Sequence, residues 1–129
     1  MLALYFLPEK RFMREALLLA QEAGRAGEIP VGAVIERNGA VIGWGCNRRE
    51  ERRDPLGHAE PEAIAEAAKA LGDWRLTGSR PYVTLEPCPM CTGAILNARM
   101  EAALYGPAVE RAGLRAPAMD PKNLSLHRR

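Results

Sequence analysis

Residues 57–64 read "GHAEPEAI", and the proline at position 61 fixes where the chain around it can be helical. Proline has no backbone N–H to donate, so Pro61 fits a helix only in the first turn, where that N–H would have no partner within the helix. Ile64, Ala67, Ala68 and Leu71 follow at helical spacing, and Gly72 stands where it can close the pattern. The helix must therefore begin close to His58. In the interior of a regular helix, His58 and Glu60 would point about 200° apart and could not serve one site. At a helix N-terminus they can.

The rest of the chain alternates helical and strand patterns around this point. Phe12, Ala16, Leu19, Ala20 and Ala23 predict a first helix, ended by Gly24 and Gly27. "IPVGAVIERNGAVIGWG" is rich in valine and isoleucine and is split by Asn38-Gly39, a pair suited to the positive φ angles of a type I′ turn, so it predicts an antiparallel hairpin. "CNRREERRDPLG" is polar and contains Asp54-Pro55, and reads as a loop. "YVTLE" reads as a strand, Cys91, Ala94, Ile95 and Ala98 mark a third helix, and "AALYG" a short final strand. The order α, β, β, α, β, α, β predicts a three-layer α/β/α domain with a mixed central sheet and helices on both faces.

A length of 129 residues suits a single domain, able to bury about two thirds of its unfolded surface. We take residues 1–129 as one unit with a core over about 10–106 and an irregular tail over 107–129. A net charge of +2 neither suggests nor excludes a nucleic-acid partner. No apolar run is long enough to span a membrane, and the opening "MLALYFLPEK" lacks the basic segment and cleavage pattern of a signal peptide, so a cytoplasmic location is expected.

Three cysteines do not make a disulfide framework, and two of them form Cys88-x-x-Cys91. Pro87 and Pro89 suit a helix start there, which puts two sulfurs within reach of one ion, at the end of the helix dipole that favours thiolates. Thiol–disulfide exchange is a rival for such a pair taken alone. With His58 at the start of the preceding helix, however, a β-α-β-α arrangement can bring both helix starts to one sheet edge. One nitrogen and two sulfurs then suit zinc and leave a fourth position for water, with Glu60 as the carboxylate that takes and returns its proton. A structural zinc site would have no need of Glu60. Cys46 reads as a small buried hydrophobe.

"HAE" followed by "PCPMC" resembles the H-x-E and P-C-x-x-C signature of the zinc-dependent cytidine and deoxycytidylate deaminases. Within that family, "IPVGAVI", "NRREERRDPLGHAE" and "WRLTGSRPYVTLEPCPMCTGAILNARM" are similar to the bacterial tRNA-specific adenosine deaminases. The resemblance implies a cytidine deaminase-like fold and one Zn2+ per chain, held by His58, Cys88 and Cys91. It also implies Glu60 as the proton shuttle and Asn47 as a hydrogen-bonding contact to the target nucleotide. The implied reaction is hydrolytic conversion of adenosine to inosine at the wobble position of a tRNA anticodon, by a homodimer. A deaminase of a free base or nucleoside (guanine, cytosine or cytidine) and a non-catalytic zinc module that binds RNA or a protein are the alternatives.

The chain departs from that family after residue 106. The expected C-terminal strand and helix are shortened, and Val109 stands where an aspartate is expected. The arginines of "RREERRD" and the closing His127, Arg128 and Arg129 read either as solvated residues or as RNA contacts.

Overall fold

The computed structural model of the protein describes residues 2–100 and 103–105. The expectations for the 107–129 tail, Val109, His127, Arg128 and Arg129 lie outside these residues. The elements follow the order α1 (Leu2–Arg25), β1 (Gly32–Arg37), β2 (Ala40–Cys46), α2 (Arg49–Arg52), α3 (Ala59–Leu71), β3 (Arg80–Val83), α4 (Pro89–Asn97) and β4 (Leu104–Tyr105).

The strands form one sheet in the order β2-β1-β3-β4. β1 is antiparallel to both β2 and β3, and β3 is parallel to β4, so the sheet is mixed as expected. Alternation along the strands sorts the core into two layers. Ala33, Ile35 and Val83 pack with Ala59, Ala63 and Ala67 of α3 and Ile95 of α4. Val34 and Tyr82 turn to the other face and meet Phe12 and Ala16 of α1. The Phe12 and Tyr82 rings lie 5.3 Å apart between centroids. This is the three-layer α/β/α arrangement, with α1 on one face and α3 and α4 on the other.

Turn chemistry sets the joints. Asn38 and Gly39 take φ of 52° and 83°, as the type I′ reading requires. The end of α1 is a Schellman closure, in which Glu28 N–H donates to the Ala23 carbonyl at 2.9 Å, Gly27 N–H donates to the Gly24 carbonyl, and Gly27 has φ 84°. α3 is capped by His58 and closed by Gly72 at φ 69°, which places Pro61 in the first turn.

Three boundaries differ from the sequence expectations. α1 begins at Leu2 rather than near Phe12. β3 begins at Arg80 and ends at Val83, two residues earlier than the first expected residue and three earlier than the last. Pro81 is tolerated in β3 because β4 pairs only with Tyr82 and Val83, leaving that flank open at Pro81. Arg49–Arg52, expected as loop, is a single helical turn whose Glu50 and Glu51 N–H groups donate to Glu28.

Close packing of α3 on β2 fixes the height of the helix start. A Cβ on Gly45 would stand 2.5 Å from the Ala59 carbonyl oxygen and 2.9 Å from the Ala63 nitrogen. The facing residues Ala59, Ala63 and Ala67 are fully buried and small enough to complete the contact. Gly45→Ala is expected to destabilise the fold by about 1–3 kcal/mol through overpacking, seen as a lower denaturation midpoint in urea. An unchanged midpoint would mean that α3 backs away without cost.

Candidate active site

Both crossovers, β2-α3-β3 and β3-α4-β4, deliver their helices to the same edge of the sheet. His58 is the N-cap of α3, with φ −92° and ψ 160°, and Cys88 is the N-cap of α4, with φ −69° and ψ 171°. Neither side chain makes a capping hydrogen bond, so both can turn to a common point. Pro89 occupies the first turn of α4, and Cys91 follows one turn on from Cys88. His58 Nδ1 lies 3.6 Å from Cys88 Sγ and 3.4 Å from Cys91 Sγ. The three ligand atoms all fall within 4.8 Å of one another, positioned to bind a metal ion.

The donor set fits zinc: one imidazole nitrogen and two sulfurs, three protein ligands in all, leave a tetrahedral position open. Cys91 is fully buried, and burial pushes its thiol well above the usual thiol range, with the nearby Glu60 carboxylate acting in the same direction. A thiolate at that point calls for a cation beside it. A dithiol used only for disulfide exchange would have no need of an imidazole against both sulfurs, so the geometry disfavours the redox reading.

Glu60, in the first turn of α3, is only 5% exposed. Burial holds its carboxyl above the ordinary carboxylate range, opposed by hydrogen bonds to its own backbone and to Cys91. A carboxyl group placed beside a metal can accept a proton and give it up again. The sequence had placed His58 and Glu60 together by the proline argument, and the structure does so.

His58, Cys88 and Glu60 line a cleft of about 130 Å³ whose other walls include Ile29, Val31, Asn47 and Leu85, with Cys91 buried behind His58. Asn47 is buried just beyond β2, where its own N–H donates to the Val31 carbonyl. Its Nδ2 donates to the Ile29 carbonyl at 3.2 Å, and its Oδ1 accepts from Arg49 N–H at 3.1 Å. An amide side chain has two N–H donors and two lone pairs, so one of each is left for a bound molecule. Thr84 ties the floor of this edge together: its N–H donates to the Gly32 carbonyl and its Oγ1 accepts from Gly32 N–H.

Cys46 is buried outside this cluster, and burial raises its thiol, as expected for a packing residue. Arg49, read from the sequence only as one of the loop arginines that are solvated or touch RNA, lines the cleft; sequence reasoning missed Glu86, which also lines it, and Glu28, which lies behind it. Glu28 carries no local signal, because its partners are more than twenty residues away in the chain.

An α/β/α domain with a His-Cys-Cys ligand set and a buried glutamate at one cleft defines a zinc-dependent deaminase scaffold. Residues 8–107 match the cytidine and deoxycytidylate deaminase zinc-binding region, and the chain belongs to that family. It is 47% identical over 98 residues to the tRNA-specific adenosine deaminase of Bacillus subtilis, a match that covers 76% of this chain and 61% of that protein. The chain therefore spans about three fifths of the length of that relative.

Two solved structures share the fold. One, from studies of A-to-I editing by tRNA:A34 deaminases at the wobble position of transfer RNA, has a TM-score of 0.73 at 46% identity, covering 76% of this chain and 75% of its own. The other, a guanine deaminase from Bacillus subtilis, has a TM-score of 0.73 at 42% identity, covering 81% and 69%. Among the described residues, no helix is long and apolar enough to cross a membrane.

Proposed function

We propose that the protein converts adenosine to inosine at the wobble position of a tRNA anticodon, consuming water and releasing ammonia. The observation that carries the deamination is the meeting of buried Glu60 with His58, Cys88 and Cys91 at one cleft. The choice of tRNA is supported by the 47% identical relative named as a tRNA-specific adenosine deaminase. The same reading takes residues 1–129 as one deaminase unit acting in the cytoplasm as a homodimer, as the family resemblance implies.

In this mechanism His58, Cys88 and Cys91 hold the zinc ion. Zinc, when bound, supplies the Lewis acid that activates water at neutral pH. Glu60 takes a proton from the attacking water on its carboxylate, delivers it to the ring nitrogen, and passes the next to the departing ammonia. Asn47 holds the base through its remaining N–H and lone pair. The target base leaves its stack to enter the cleft, because the reacting carbon cannot be reached inside a stacked loop.

A second reading is hydrolysis of free guanine, favoured by the similarity to the guanine deaminase structure. Ammonia release from guanine, cytosine and cytidine, set beside inosine formation in a tRNA with adenosine at the wobble position, separates the two. The expected result is inosine in the tRNA and no turnover of the free bases. Turnover of guanine with an unchanged tRNA would replace the first reading by the second.

A further inference from the structure

The single turn α2 is held from outside itself. Its N-cap, Arg48, makes no side-chain capping bond, and none of its four residues is buried. The N–H groups of the N-cap and of the first three residues of a helix lack partners within it, and that of Arg48 donates to the Gly57 carbonyl. Here Arg49 N–H donates to Asn47 Oδ1, Glu50 N–H donates to Glu28 Oε1 at 3.0 Å, and Glu51 N–H donates to Glu28 Oε2 at 2.8 Å. Glu28 is itself only 7% exposed and is fixed by the Schellman closure at the end of α1. Behind this segment, on the side of Cys46 and Glu22, lies a second cleft of about 190 Å³ that Glu28 and Asn47 also line. Packing therefore does not buttress α2 from that side, and its placement depends on polar contacts.

We infer that Glu28 is a positioning residue for the substrate cleft. Both oxygens of one carboxylate clamp the start of α2, and so hold Asn47 and Arg49 in the cleft wall. Ile29, the next residue, accepts from Asn47 Nδ2 and lines the same wall, so this short segment secures one end of the asparagine directly and the other through α2, whose Arg49 N–H donates to Asn47 Oδ1. The Arg48–Glu62 ion pair at 3.2 Å joins α2 to α3, but its arginine is more than a third exposed, so screening by water weakens it as a substitute for the clamp. The clamp touches neither the metal ligands nor Glu60. It acts on how well substrate is held and leaves the chemical step unchanged.

The inference rests on the deaminase reading for its kinetic consequence alone. Glu28→Gln keeps the volume and one acceptor but sets an NH2 group against an N–H donor, which breaks one of the two charge-assisted bonds. In the zinc-loaded full chain, amide exchange at Glu50 and Glu51 is expected to speed up about tenfold, the scale of one hydrogen bond to a charged group. KM for the anticodon RNA is expected to rise by about the same factor, with kcat within about twofold and zinc still one per chain. Glu28→Ala should enlarge both effects, and assays well below the melting temperature separate them from lost stability. Unchanged exchange at Glu50 and Glu51, or a fall in kcat at constant KM, overturns the clamp. If the wild type forms no inosine, the tRNA reading fails, and the exchange rates alone decide whether Glu28 holds α2.

Discussion

Glu60→Gln is expected to remove nearly all deamination while the protein keeps one zinc per chain and its wild-type fold. The substitution preserves volume in a site that is 5% exposed, so packing changes little. In the proposed mechanism it removes the carboxylate that carries a proton between water, ring nitrogen and leaving ammonia, and leaves Glu86, which also lines the cleft, in place. Positioned general acid–base groups contribute about 10²–10⁴-fold, and the proposed mechanism uses Glu60 in both directions, so a loss toward the upper end is expected. Initial rates of inosine formation, with metal content from the same sample, give the answer. Rates within a few-fold of wild type would reduce Glu60 to a first-turn acid complementing the dipole of α3.

Cys91→Ser separates metal loss from loss of the proton carrier. Cys91 is fully buried, 3.4 Å from His58 Nδ1, and a serine hydroxyl in its place is a harder and more weakly acidic donor. Changes outside the ligand shell of a metal site already cost about 10–100-fold in affinity, so losing a ligand is expected to cost more than about 100-fold. Zinc content after dialysis should drop far below one per chain, and activity should fall to background. The melting temperature should fall as well, because metal that binds only the folded chain stabilises it. Cys46→Ser is the matched control: that buried cysteine lies outside the ligand cluster, and its variant should keep its zinc. Full zinc retention by Cys91→Ser would remove it from the ligand set.

The parts of this site that were legible in the sequence are those whose causes are local. Pro61 limits the start of α3 to within a turn of itself, and that limit places His58 as the cap. Asn38-Gly39 dictates its own turn and pairs Arg37 with Ala40 and Glu36 with Val41, whereas the face on which Gly43 and Gly45 meet α3 is set by a one-residue shift of register between Ile35 and Glu36 that no local signal announces. Pro89 and Cys88-x-x-Cys91 declare a helix start in the same way.

What was not legible depends on partners far away in the chain. α2 has no apolar periodicity and no side-chain cap of its own, and becomes helical because Glu28 arrives from the end of α1. The bounds of β3 follow from pairing with β1 over Arg80–Val83, which extends to Pro81, a residue that argues against a strand when read alone. Asn47 looked like either a turn residue or a substrate contact. It does the first and retains the hydrogen-bonding capacity for the second.

If His58, Cys88 and Cys91 hold a zinc ion beside Glu60 for the deamination of a tRNA base, inosine formation must follow the metal. Inosine content in a tRNA anticodon stem-loop is measured after incubation with zinc-loaded protein, with protein stripped by a chelator, and with stripped protein given zinc again. Loaded protein is expected to convert the wobble adenosine, stripped protein to leave it unchanged, and added zinc to restore conversion. Conversion that survives complete zinc removal, or none by protein holding one zinc per chain, would contradict that role for the metal site.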